Sequence, residues 1–168
     1  FLAPSLSPDG NRIVFLSNGN QKRAELFIDL WLADAHTGKR IKRLVESTTN
    51  PNFEELRLLY SQSSFSNNGR MLAFTAQREG KDVMYLMDVA SASVKRRVDL
   101  PGVDAIWSPV WSPDDRQVAF SGTHGGITDL YIVDADGKNL RQLTNDVYGD
   151  MQPAWSPDGK RIAFATDR

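Results

Sequence analysis

The side chains that could do chemistry in this chain are few and scattered. His36 and His124 are its only histidines. An imidazole can act as a general base or a metal ligand near neutral pH, but these two lie in separate loops with no nucleophile or second ligand at a useful spacing. Both read as loop residues. Asp134-Ala135-Asp136-Gly137 begins like a calcium loop, yet the third acid and the closing Glu are absent, and a hairpin turn accounts for it. There is no Gly-x-Ser-x-Gly elbow, His-Glu-x-x-His pair, phosphate loop or Gly-x-Gly-x-x-Gly. There is no Cys, which excludes disulfides and thiolate metal sites while leaving the compartment open. The expectation is a non-enzyme with no catalytic residue, no metal set and no cofactor. The basic clusters Lys39-Arg40-Ile41-Lys42-Arg43 and Lys95-Arg96-Arg97 could meet phosphates. A formal net charge of -1 supplies no field for nucleic acid, and none is expected as a partner. No apolar run approaches the roughly 18 residues of a membrane helix, so no membrane insertion is expected either.

What positions these residues is a phrase that occurs four times. "LSPDGNRIVF" (6–15), "FSNNGRMLAF" (65–74), "WSPDDRQVAF" (111–120) and "WSPDGKRIAF" (155–164) share a turn followed by a short apolar run. Their closing phenylalanines are spaced 59 (15 to 74), 46 (74 to 120) and 44 (120 to 164) residues apart. A period in the mid-forties is that of four-stranded propeller blades. The longer first step is absorbed by 18–25 and 46–59. After each apolar run comes a second, "DLWLADA" (29–35), "DVMYLMDVA" (82–90) and "DLYIVDA" (129–135). A third alternates apolar with basic or polar residues, "KRIKRLV", "VKRRVDL" and "NLRQLT". Such alternation suits an exposed outer strand, where charge blunts an aggregation-prone edge. The residues before each turn supply a fourth, innermost strand. Only Asn50–Leu56 carries helix signals, an early Pro and two acids, and predicts one short helical turn in a loop.

The phrase has a physical logic. Pro presets φ at the second turn position, Asp tolerates the third, and Gly supplies the positive φ that closes the hairpin. The Ser hydroxyl is expected to accept from the backbone N–H two residues on. The aromatic before the Ser and the Phe that ends the phrase are expected to meet as a core pair. The second copy has Asn67-Asn68 for Pro-Asp. The third has Asp115 in the Gly position, which predicts a strained turn or one of another type.

The unit Pro-x-Trp-Ser-Pro-Asp-Gly-x-x-Ile-Ala-Phe, then Asp-Leu-Tyr-x-x-Asp-x-x-Gly, then Leu-x-x-Leu-Thr, resembles the WD-like repeat of TolB-type β-propellers. The copies at 109–144 and 153–166 match closely and that at 4–45 well. The copy at 63–99 departs at Ser63, at Asn67-Asn68 and at Ala92, where Gly is expected. The resemblance implies an all-β fold, a β-propeller of four-stranded antiparallel blades with about three and a half blades present. It also implies a bacterial periplasmic or secreted setting and a non-catalytic scaffold that binds a protein or peptide. Similar propellers gate substrate entry in prolyl-oligopeptidase-like serine peptidases or stand beside metallopeptidase domains, which is the alternative.

The blades are expected at about 1–47, 56–100, 104–145 and 150–168, the last incomplete, as a single partial propeller. The chain opens on Phe1 and not on Met, which predicts a piece of a longer frame. Self-association through open blade edges is expected. With the strands of each blade lettered a to d from the innermost outward, antiparallel blades place the tight a–b and c–d turns at one end and the longer b–c and d–a connections (18–28, 46–59, 77–81, 101–106, 122–128 and 145–150) at the other. Long loops on a rigid scaffold are where binding resides. The candidates there are Phe53, Glu54, Arg78, Asp104, His124, Tyr148 and Asp150. The innermost strands carry Ser, Pro, Gln and aromatics but no set of acids for a metal, and the four Trp read as core.

Overall fold

The computed structural model describes residues 2–17, 28–46, 52, 55–56 and 63–168, and the regular elements among them are all strands. Blade one pairs β1 (Leu2–Leu6), β2 (Arg12–Ser17), β3 (Asp29–Asp34) and β4 (Arg40–Val45) in that order. Blade two contains β5 (Glu55–Leu56), β6 (Ser64–Phe65), β7 (Met71–Arg78), β8 (Lys81–Asp88) and β9 (Ser93–Val98). Both β5 and β6 pair with β7, so its inner strand comes in two pieces. Blade three runs β10 (Ala105–Trp111), β11 (Gln117–His124), β12 (Ile127–Asp134) and β13 (Arg141–Gln142). A two-stranded sheet, β14 (Asp150–Trp155) with β15 (Ile162–Thr166), begins a fourth blade. All pairings are antiparallel.

The helical turn expected over 50–56 is not what forms at its described end. Glu55 and Leu56 pair with Gln77 and Ala76 instead. A free β7 edge satisfies their backbone groups better than an isolated turn does. Residues 50, 51, 53 and 54 lie outside the described residues.

Each a–b turn is built by one network. Ser7 Oγ donates to Asp9 Oδ1 at 2.5 Å and accepts from Arg12 N at 2.9 Å, while Asp9 Oδ1 also accepts from Asn11 N at 3.1 Å. The same three bonds recur at Ser66/Asn68, Ser112/Asp114 and Ser156/Asp158. The serine therefore accepts from the N–H five residues on, not two, because its proton is drawn to the side chain at the third turn position. Asp115 keeps this geometry, with φ 60° in the place where Gly10, Gly69 and Gly159 have 72°, 68° and 69°. Its carboxylate accepts from the backbone N–H groups of Asn67 and Asn68 (3.0 Å for the latter) in the turn of blade two. The left-handed backbone at Asp115 is thus held by a contact that Gly could not make.

The inner strands share a second irregularity. Ala3, Ser108 and Gln152 have φ of 48°, 47° and 56°. Each precedes a proline and lies where the ladder register shifts, so β1, β10 and β14 carry equivalent bulges.

The blades pack face to face through two apolar seams. Val14, Leu16, Leu30 and Leu32 of blade one meet Phe65, Leu72, Phe74 and Tyr85 of blade two. Ala73, Met84 and Leu86 of blade two meet Ile106, Trp111, Phe120 and Tyr131 of blade three. In blades two and three the aromatic partner of the closing Phe is a Tyr on the next strand and not the residue before the Ser. Phe74 stacks on Tyr85 at 5.6 Å and Phe120 on Tyr131 at 5.5 Å. Trp111 instead stands opposite Val118. Phe164, the fourth in the series, is 43% exposed, as are most residues of β15. Phe120→Ala is expected to cost about 3–5 kcal/mol. Phe164→Ala should cost well under half as much, both read by urea denaturation.

Ala92 takes the place of the second-hairpin Gly and adopts φ 54°. Asp88 Oδ1 holds that turn by accepting from Ser91 N and Ser91 Oγ. Relief of a left-handed Ala outweighs the added freedom of the unfolded chain. Ala92→Gly should therefore raise unfolding free energy by about 0.5–1 kcal/mol, measured the same way.

Candidate functional site

The two ends of the blades differ in chemistry. At the turn end the carboxylates are saturated by short local hydrogen bonds. Donation by Ser7, then by the Asn11 backbone, holds the Asp9 carboxyl down at about 2, against an ordinary 3.8. Asp114 and Asp158 are lowered in the same way, first by Ser112 and Ser156. In the c–d turns, Asp34 is lowered by Thr37 and Asp88 by Ser91. These are fixed acceptors, not proton-transfer groups. His36 belongs to this end, with Nε2 3.3 Å from Asn11 Oδ1.

At the b–c and d–a end, the predicted residues fall into separate groups. Arg78 Nη1 donates to the carbonyl of Asn52 at 3.1 Å, and Tyr85 OH donates to the same oxygen at 2.7 Å. Arg78 and Tyr85 thus pin the connection into blade two, and burial pushes the Tyr85 phenol up. Asp104 and His124 do come together. Asp104 Oδ2 accepts from Gly125 N at 3.1 Å and lies 3.9 Å from His124 Nδ1. Both side chains are about two-thirds exposed, and the pair closes the entry loop of blade three against its b–c turn. Tyr148 lies under the Arg168 guanidinium, 5.2 Å from the ring centroid, and Arg168 also pairs with Asp146. Asp150 is not a loop residue. It heads β14 and is 1% exposed. Phe53 and Glu54 lie outside the described residues.

Sequence reasoning missed a cavity of about 490 Å³ at this end, between blade three and β14. Trp107, Ser121, Thr123, Thr128, Met151 and Gln152 line it. Trp107 Nε1 donates to Thr123 Oγ1 at 3.2 Å, Thr123 and Thr128 share a hydroxyl contact at 2.9 Å, and Gln152 N donates to Ser121 Oγ at 3.0 Å. Its lining comes from β10, β11, β12 and β14, and no residue of the repeated phrase is among it. The same end exposes Ile127, Val147, Tyr148 and Met151, the last of which lines the cavity. Among the described residues no group of three or more His, Asp or Glu could hold a metal.

The basic outer strands meet aromatic and acidic partners of their own. Arg40 and Arg43 lie 4.7 and 5.8 Å from the Trp31 ring centroid, and Arg97 pairs with Asp99 at 2.9 Å.

The repeating blade, its turn network and this asymmetry between ends can be set beside known proteins. A model of the TolB beta propeller domain matches residues 57–168. The chain belongs to the TolB β-propeller family. It is 28% identical over 120 residues to the uncharacterized peptidase YuxL of Bacillus subtilis (strain 168), covering 68% of this chain and 16% of that protein. It is 31% identical over 83 residues to the Tol-Pal system protein TolB of Francisella tularensis subsp. mediasiatica (strain FSC147), covering 48% of this chain and 19% of that one. The crystal structure of TolB from Acinetobacter baumannii superposes with a TM-score of 0.76 at 25% identity, over 97% of this chain and 37% of that chain. The matched part of the chain thus spans less than a fifth of the YuxL peptidase and of the Francisella TolB.

The TolB-type turn makes a pH prediction. Because Asp9 is lowered in the folded state, its contribution to stability is fully present above the ordinary aspartate value of 3.8 and is lost as pH falls through about 2. A carboxyl-detected NMR titration should place Asp9 near 2, and Ser7→Ala should return it toward the ordinary value. An Asp9 midpoint unmoved by Ser7→Ala would show that the hydroxyl is not the cause.

Proposed function

We propose that this chain is part of a larger TolB-type ring, with blades at about 1–47, 56–100, 104–145 and an incomplete 150–168. It works as a non-catalytic scaffold that docks a protein or peptide on the b–c and d–a end. The observation that carries this is the asymmetry between the ends. Carboxylates at the turn end are spent on hydrogen bonds within and between the turns, whereas the other end of blades three and four exposes Ile127, Val147, Tyr148 and Met151 and holds a cavity that Met151 helps to line. Exposed apolar residues gathered around a concave site are what a partner covers. Arg78, Asp104, His124 and Tyr148 would contribute to that surface, and Phe53 and Glu54, outside the described residues, are proposed as contacts from the sequence alone. The likeness to a Tol-Pal system protein supports a bacterial envelope setting, periplasmic or secreted. Where the ring is not completed, open blade edges such as that of β15 are the proposed route of self-association.

A second reading rests on the likeness to an uncharacterized peptidase over 68% of this chain. In that case the same end would face a peptidase domain carried elsewhere in the frame and would select substrates by access.

The test is site-specific photo-cross-linking. A benzophenone side chain is placed at Tyr148 or, at the opposite end, at Lys160, in the full-length protein in its native cells. The scaffold reading expects a discrete protein adduct from position 148 and none from 160. Equal adducts from both, or none from 148, would overturn it. Peptide hydrolysis by the full-length protein, lost on mutation of residues outside this chain, would favour the second reading.

A further inference from the structure

The cavity between blade three and β14 is lined by side chains that carry no charge. At the two earlier junctions the inner strand holds Leu56 and Ile106 at equivalent places in the ladder, opposite Ala76 and Gly122, and both are core residues at 3% and 0% exposure. β14 has Asp150 in that place, opposite Thr166. Asp150 is buried and stands outside the cavity lining, so what the cavity offers a guest comes from neutral groups alone.

The inner-strand bulges supply two of those groups. Ala3, Ser108 and Gln152 hold the same positive-φ place before a proline, and a bulge re-aims the side chain it carries. In blade one that side chain is a methyl group packed on the apolar core. In blades three and four it is a hydroxyl and a carboxamide, and both line the cavity. Ser108 is only 9% exposed, yet among the described residues its hydroxyl meets no hydrogen-bond partner. Gln152 donates its backbone N–H to Ser121, while its carboxamide is unpaired among the described residues. Thr123 and Thr128 share one proton between two hydroxyls, which leaves the second proton to donate.

This set of groups discriminates between guests. An ion would leave water without meeting an opposite charge, which is costly. A sugar carries a hydroxyl on nearly every ring carbon, each needing a partner once buried, and the uncommitted groups here are few. A carboxamide has one carbonyl and one NH2 on a short apolar stem. It can pair with the Gln152 carboxamide through two parallel hydrogen bonds and still leave a lone pair for a hydroxyl donor. Met151, unbranched and half-exposed, can repack around the stem.

We propose that this cavity takes an uncharged carboxamide, the asparagine or glutamine side chain of a peptide partner, and that Ser108 and Gln152 read it. The inference deepens the docking reading above and rests on it.

The experiment titrates Nα-acetyl-glutamine methylamide, its glutamate counterpart and methyl glucoside into the full-length protein labelled at its methionine methyl groups, and follows the Met151 signal. The glutamine compound is expected to bind in the roughly millimolar range of a single anchoring group, with the glutamate compound and the glucoside each weaker by about tenfold or more. Ser108→Gly removes the hydroxyl and relieves the left-handed backbone, so Tm should hold or rise while binding weakens by about five- to tenfold. Gln152→Leu, which keeps the bulk and loses the amide, should weaken it by a similar factor. Equal shifts with the glutamine and glutamate compounds, a response to the glucoside alone, no response at all, or full binding by both variants would overturn the proposal. If a variant fails to fold, the comparison of the three compounds on the unaltered protein still decides. An adduct at position 148 without a glutamine response would remove only the carboxamide site. A glutamine response without an adduct would remove only the docking reading.

Discussion

Every blade depends on one serine hydroxyl that works in two directions at once. It gives its proton to the side chain two residues ahead and takes a backbone hydrogen bond from five residues ahead. This fixes the length of the a–b hairpin, and hairpin length fixes register. Register decides which face of the sheet receives the closing Phe. A slip of one residue would turn Phe74 or Phe120 away from its tyrosine and empty the seam toward the preceding blade. The apolar packing supplies most of the stability, but the polar turn determines where that packing can form.

Much of the fold was legible because its signals were local and repeated. The turn phrase, the β runs and the charged outer strands can each be read within about a dozen residues. The errors arose where geometry spans strands. The Trp before the Ser and the closing Phe looked like partners, but the ladder sets Trp111 opposite Val118 and gives Phe120 to Tyr131. The aspartates of "DVMYLMD" and "DLYIVD" looked equivalent. In fact Asp129 is one register place from Asp82 and faces the other way. Asp129 therefore accepts from Gln142 and Thr144 within its own blade, while Asp82 reaches Ile106 N in the next.

The candidate site was less legible for the same reason. Asp104 and His124 are legible only as residues of the same end; their meeting is set by the b–c turn of blade three closing on its entry loop. The cavity draws on β10, β11, β12 and β14, and no segment of sequence contains it. The sequence places Asp150 at the end of a connection, whereas the ladder makes it a core residue. In a repeat fold, comparing copies position by position is more informative than composition. An aspartate where two sister blades hold Leu and Ile stands out only once the copies are aligned through their inner strands.

Asp115 bears on how the array folds as a whole. In a chain of repeats, stability divides into what each unit has alone and what each junction adds. A non-glycine residue in the left-handed region lowers the first term, and its carboxylate, bound to the Asn67 and Asn68 backbone of the neighbouring turn, raises the second. The trade moves free energy from unit to junction. Blade three is thereby less able to stand by itself and more tightly coupled to blade two, so states in which one is folded and the other is not become rarer. A single residue out of pattern makes these two blades behave more nearly as one cooperative unit.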